Sequence, residues 1–248
     1  MTEPGPDETL DRLSQHRSVL HRKRGHRSAT DDTLAAWIAA TSVGPVDRVL
    51  DLGCGHGTVT LLLSQVVDAS FVSLEVQAVS AALARRNMEL NALTDRVRVV
   101  ESDLRGVELG DERFDLATGT PPFMPLGSGV LSKDPQRAAA RFELHGGVED
   151  YAACAARWLR PGGTVMLLMD GAQDARCREA FAAAGFGLTR LVAVTPRPGK
   201  EVRFRGYVGR LGVPDEAPEW EDLVVRDAEG EYTSAMLAVR ESLFQVPG

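Results

Sequence analysis

Asp51-Leu52-Gly53-Cys54-Gly55-His56-Gly57 sets a carboxylate two residues ahead of three glycines at alternate positions. Glycines at such spacing let a backbone approach a ligand that side chains would block. The run Arg48–Leu52 before them suits a strand buried on both faces, and residues 59–63 after them suit a helix. Strand, glycine turn and helix is how open α/β sheets build a ligand site at the carboxyl end of a strand. A dinucleotide loop wants G-x-G-x-x-G, whereas this one is G-x-G-x-G. Glu75 follows at the end of a second apolar run, 69–75, and lies 24 positions beyond Asp51. A carboxylate there can accept from both hydroxyls of a ribose, or cap the helix expected over 76–92, or do both. A third strand is expected over 96–104 and carries Asp103 and Leu104 at its end. The fourth, from Phe114, runs into Thr120-Pro121-Pro122-Phe123, where two prolines end the strand ladder and stiffen a turn.

Asp51 with Gly53, Gly55 and Gly57 closely resembles motif I of the S-adenosylmethionine-dependent methyltransferases with a Rossmann-like fold. In that family the loop wraps the methionine end of the cofactor, and the helix N-terminus can face its carboxylate. The resemblance implies a cofactor set of Asp51, Gly53, Gly55, Gly57, Glu75, Asp103 and Leu104, with Glu75 on the ribose and Asp103 accepting from the adenine amine. Thr120-Pro121-Pro122-Phe123 narrows it. Methyltransferases acting on planar amines carry Asn-, Asp- or Ser-Pro-Pro and then Tyr, Phe or Trp at this point. The first residue and the prolyl carbonyl accept from the amine, and the ring stacks on it. Thr120, Pro121 and Phe123 stand in the catalytic places. Thr120 departs from the pattern: its hydroxyl accepts one hydrogen bond but lacks the amide carbonyl of Asn, and its methyl adds bulk.

Arg141-Phe142-Glu143 ahead of a helix is similar to the bacterial methyltransferases that modify an adenine beside the anticodon of valine tRNA, within the small-domain group. Gly230-Glu231-Tyr232-Thr233 has a Gly-x-Tyr-Thr form that also occurs there. The activity implied is methyl transfer to a planar amine, with adenine in tRNA or another RNA as the leading acceptor. A small-molecule or protein acceptor is the alternative that the acidic charge favours. A cofactor-binding protein without catalysis is the alternative that Thr120 favours.

The elements that must hold these residues read as an α/β fold. The expectation is a Rossmann-like, mostly parallel seven-stranded sheet with helices on both faces and an antiparallel edge hairpin over 187–194 and 202–211. Helices are expected over 33–41, 147–159 and 172–184, and a flexible flap over 127–136. Residues 34–211 form the expected cofactor-binding domain, 1–33 a basic, partly flexible N-terminal segment, and 212–248 a C-terminal extension packed on the same domain. Within 16–27 lie Arg17, His21, Arg22, Lys23, Arg24, His26 and Arg27. They read either as a solvated lead-in helix or as an arm that grips RNA phosphates. The hairpin residues Arg197, Lys200, Arg203 and Arg205 make a positive rim, more often a guard against edge pairing than a binding site.

The chain of 248 residues has a net charge of −7, which argues against a broad nucleic-acid footprint but not against a local basic patch. No apolar run approaches the roughly 20 residues of a membrane helix, and the acidic, turn-rich start is no signal peptide. Cys54, Cys154 and Cys177 are far apart and fit a reduced, cytoplasmic protein. His16, His21, His26, His56 and His145 lack a paired ligand pattern, so no metal is expected. Oligomeric state has no sequence signal.

Overall fold

The computed structural model describes residues 3–214 and 217–244. Residues 1–2, 215–216 and 245–248, parts of the expected N-terminal segment and C-terminal extension, lie outside the described residues. The chain opens with β1 (Glu8–Arg12), β2 (Ser18–Arg22) and α1 (Thr30–Thr41). It continues through β3 (Arg48–Leu52), α2 (Thr58–Val66), β4 (Ser70–Glu75), α3 (Ala78–Leu90), β5 (Val97–Glu101) and β6 (Phe114–Gly119). Then come α4 (Pro135–Arg141), α5 (Val148–Trp158), β7 (Leu159–Asp170), α6 (Asp174–Ala183), β8 (Phe186–Thr195), β9 (Phe204–Leu211), β10 (Glu219–Val224) and α7 (Ser234–Phe244).

One sheet in the order β10-β8-β9-β7-β6-β3-β4-β5 organises the molecule. β9 runs antiparallel to both its neighbours, and every other pairing in the sheet is parallel. Among the described residues the sheet therefore has eight strands, which corrects the expectation of seven. The β8–β9 hairpin exists, but it is not the edge, because β10 pairs in parallel with β8 and Leu223 is buried there. Arg160-Pro161-Gly162-Gly163 lies within β7 and forms a bulge there. The register jumps from Phe114 opposite Leu159 to Leu116 opposite Thr164, and Gly162 takes φ +73°.

Residues from α1, α2, α3 and α7 pack over one face of the sheet, and α5 and α6 cover the other. Strands β3 and β6 are buried almost end to end and carry apolar residues on both faces.

The expected lead-in helix is a β-hairpin. β1 and β2 pair in register, and Val19, Leu20 and His21 are buried. Asn87 of α3 and Asn91, which caps its C-terminus, act as a substitute strand for β2. Leu20 donates its N–H to Asn87 Oδ1 at 2.7 Å, and Asn87 Nδ2 donates back to the Leu20 carbonyl at 3.2 Å. Asn91 does the same for Ser18, at 3.0 and 2.8 Å. A helix in this place would leave those buried amides without partners. The reading of 16–27 as a solvated face fails with it, since His21 is buried and Arg22 and Arg27 pair with Asp134 and Asp11.

Candidate active site

The glycine loop leaves β3 with Gly53, Gly55 and Gly57 at φ +65°, +57° and +92°. All three lie in the left-handed region that favours glycine, and the first two bear on the cleft. A Cβ on Gly53 would run into the hydroxyl of Tyr151, which rises from α5 beneath the loop. Gly55 faces open space within the cleft, so a side chain there would fill the space a ligand needs. Glu75, at the end of β4, braces the loop from the side. Its Oε2 accepts from Gly55 N–H and its Oε1 from Gln77 N–H, both at 2.8 Å. Asp51 accepts from the Thr60 hydroxyl at 2.6 Å, and Thr60 in turn shares 2.8 Å with Ser73. Burial holds both acids above the usual carboxylate range, and Asp51 is pushed up to about 7, with Glu75 adding repulsion. Two buried carboxyls on one cleft wall are matched to ligand groups that donate hydrogen bonds or carry positive charge.

The roof of the cleft comes from the N-terminal strap between β2 and α1 and from α4. His26 and Asp32 line it from the strap and α1, and Gln136, Ala139 and Ala140 from α4. Gln136 is buried and joins three segments: its Oε1 accepts from His26 N–H at 3.3 Å and Arg22 at 3.2 Å, while its Nε2 donates to Ser80 at 3.0 Å. Behind the strap, Ser28 Oγ sits 2.8 Å from His21 Nε2, 3.2 Å from His56 Nε2 and 2.8 Å from Thr58 Oγ1. His21 Nδ1 reaches Asp11 at 3.0 Å. This chain of polar contacts ties the hairpin to the glycine loop. Burial keeps His56 well below its ordinary pKa and lowers His21 and His26, which favours the neutral imidazoles.

The proline turn meets the same cleft from β6. Thr120 and Pro122 line it, Pro121 is buried, and Phe123 opens into an adjoining groove. Past the turn, Met124 pairs with Phe142: Met124 accepts a backbone bond from Glu143 and donates one to Arg141. Gln173 Nε2 donates to the Phe123 carbonyl at 2.8 Å, and Arg176 holds Gln173 Oε1 at 2.8 Å. Arg176 is itself gripped by Glu143 and Glu149 through four contacts of 2.7–3.0 Å. The Arg141-Phe142-Glu143 segment thus packs and fastens the turn.

The structure brings together Asp51, Gly53, Gly55, Glu75, Leu104 and Thr120 on one cleft. Gly57 ends the loop as the residue capping α2. Asp103 lies just outside, its carboxylate held by Arg105 at 2.5–3.2 Å, while its neighbours Ser102 and Leu104 line the cleft. Sequence reasoning missed Tyr151, His26, Gln136 and Gln173. Only Tyr151, an isolated polar ring on the buried side of an amphipathic helix, carried any local signal. Among the described residues no group of three or more His, Cys, Asp or Glu is placed to hold a metal ion.

A sheet of this order with a glycine-lined cleft at its carboxyl edge is the Rossmann-like fold of S-adenosylmethionine-dependent methyltransferases, and the chain is an enzyme of that class. The Methyltransferase domain family model matches residues 49–129. A predicted O-methyltransferase from Agrobacterium tumefaciens shares the fold, with TM-score 0.64 and 20% identity, over 86% of this chain and 95% of that one. A tRNA1(Val) (adenine(37)-N6)-methyltransferase of Bacteroides thetaiotaomicron is 30% identical over 185 residues, 73% of this chain and 76% of its own length. Another, from Shewanella amazonensis, is 28% identical over 212 residues, 85% of this chain and 88% of its own. The chain belongs to the tRNA1(Val) (adenine(37)-N6)-methyltransferase family.

Proposed function

We propose that this chain transfers a methyl group to the exocyclic amine of an adenine in RNA, a tRNA anticodon loop being the acceptor that the relatives' names suggest. The observation that carries this reading is the placement of Thr120 on the wall of the glycine-loop cleft while Phe123, three residues on, opens into the adjoining groove. One turn thereby faces both a cofactor site and an acceptor entrance.

The residues present fit the cofactor. Gly55 leaves an open cradle, Glu75 offers acceptor oxygens to a diol, and buried Asp51 suits an ammonium group. Ser102 and Leu104 line the far end, where an adenine would lie. Bound there, S-adenosylmethionine supplies a sulfonium methyl as the electrophile. The chain's own part is positioning. The Thr120 hydroxyl and the Pro121 carbonyl accept the amine hydrogens, Phe123 lies against the ring, and Gln173 stops the turn from shifting. Orienting two reactants in this way supplies most of what a direct displacement needs.

Thr120 gives the sharpest test, run with labelled cofactor, unmodified tRNA and a metabolite extract, and read by mass spectrometry. Thr120→Ala should slow RNA methylation by roughly the 0.5–1.5 kcal/mol of one neutral hydrogen bond. Thr120→Asn should raise it by restoring an amide carbonyl. If label enters only small molecules, or Thr120→Asn impairs turnover, the acceptor is not an RNA adenine. If no label transfers while the cofactor still binds, the chain is a binding protein.

A further inference from the structure

We infer that the groove beside Phe123 is the path of an unpaired RNA strand, with a base-contacting wall of Phe123, Phe204 and Arg203 and a phosphate-contacting wall of Arg24, Arg137 and Arg141. This rests on the acceptor reading above. His26 and Ala140 line both this groove and the cofactor cleft, so the two are continuous.

The first wall is a ladder of flat groups. The rings of Phe123 and Phe204 lie 5.5 Å apart, and the Arg203 guanidinium stands 5.1 Å from the Phe204 centroid. Asp170 fixes Arg203 at 2.7 Å. Successive bases of an unpaired strand stack on such aromatic and guanidinium faces without any demand on sequence. With Phe123 against the target base, Phe204 and Arg203 meet its neighbour. The ladder exists because β9 is the antiparallel strand. Its first residue, Phe204, is paired with Asp170 at the end of β7, so it lies at the edge where the parallel strands present their carboxyl ends.

The second wall is charged and, among the described residues, free of ion pairs, with Arg141 reaching Met124 Sδ at 3.9 Å. Arg24, Arg137 and Arg141 are exposed, and among the described residues none of their side chains has a carboxylate within 4.0 Å. Neighbouring Arg22, Arg27 and Arg176 are all ion-paired. Two acids also line the groove: Asp170 is spent on Arg203, and Asp31 sits in the first turn of α1. In a chain of net charge −7, unpaired arginines gathered along one groove mark where an anionic polymer is favoured. A small planar acceptor would need the aromatic ladder but not this second wall.

The test uses the full chain and a stem–loop RNA, with 2-aminopurine replacing one loop adenine for binding and native adenine for turnover. Removing both Arg137 and Arg141 to Ala should weaken binding and reduce the salt slope by about 0.7 per lost phosphate contact. Phe204→Ala should diminish the 2-aminopurine quench and raise KM about 5- to 150-fold, the worth of one base–aromatic stack, with the smaller change in kcat. Phe204→Tyr should restore both. Phe204→Leu, which keeps the bulk and hence the melting temperature, should behave like Phe204→Ala toward RNA. Unchanged KM, quench and salt slope in variants of an enzyme that still methylates RNA would overturn the groove and leave the acceptor reading standing. Wild-type protein that binds cofactor but neither binds nor methylates the RNA would remove both.

Discussion

Glu75 shows how one side chain can serve structure and site together. It caps the backbone entering α3 and braces Gly55, yet it lies on the cleft wall. Glu75→Ala should weaken S-adenosylmethionine binding by about 1.5–3 kcal/mol, the range for a hydrogen bond to a charged group. Calorimetry giving an unchanged affinity would take Glu75 out of the site. Asp51 supports a prediction in pH. Its carboxyl titrates at about 7 in the folded protein and near 3.9 when unfolded. Between those values the folded state holds the extra proton, so its contribution to stability is greatest below about pH 4. It is lost as pH rises through about 7. Urea denaturation across this range should show wild type losing stability relative to Asp51→Asn, with the difference levelling off above neutral pH. A difference that stays flat from acid to neutral pH would mean that Asp51 is solvated and ionised throughout.

At the scale of elements, the proline turn is held by a brace that no motif announces. α6 is preceded by a short 3₁₀ turn that delivers Gln173 to the Phe123 carbonyl, and Arg176 locks Gln173 in place. Gln173→Ala should lower kcat by roughly the 0.5–1.5 kcal/mol of one hydrogen bond, while calorimetric cofactor affinity stays at the wild-type value. Equal loss of cofactor affinity would instead place Gln173's effect on the whole fold. The roof obeys the same logic. Gln136 and Ser28 each join segments far apart in the chain, so strap, α4 and glycine loop form one polar assembly over the cleft.

At the scale of the whole molecule, the N-terminal hairpin, β10 and α7 are all parts of the fold. β10 extends the sheet, and Met236, Val239 and Leu243 of α7 are buried in the core that α1 and α2 share. Leu243→Ala should cost about 2–5 kcal/mol, as deletion of a buried leucine generally does. Thermal denaturation would show this as a lower melting temperature, and no change would mean that α7 is only loosely attached. The hairpin predicts likewise that removing residues 1–27 lowers the melting temperature, since Val19 and Leu20 are core residues. The net charge of −7 and the cationic groove coexist because most other arginines are neutralised locally, as Arg176 is by Glu143 and Glu149.

What the sequence alone determined about this protein is what depends on neighbours in the chain. The glycine spacing set the left-handed turn after β3, the position of Glu75 at a strand end set its reach into the cleft, and Pro121-Pro122 set the stiff turn after β6. Each follows from backbone geometry within a few residues, and so does the alternation of buried strand and covering helix. Tertiary structure decided whatever joins distant segments. Asn87 on α3 and Asn91 at its C-terminal cap made a hairpin of a basic stretch that reads as a helix or an arm. Strand order brought Phe204 beside Phe123, 81 residues earlier in the chain. Arg105 took Asp103 aside while Tyr151 rose beneath Gly53. Such contacts are set by which surfaces the sheet brings face to face, and a side chain's partner across that distance leaves no periodicity in the sequence.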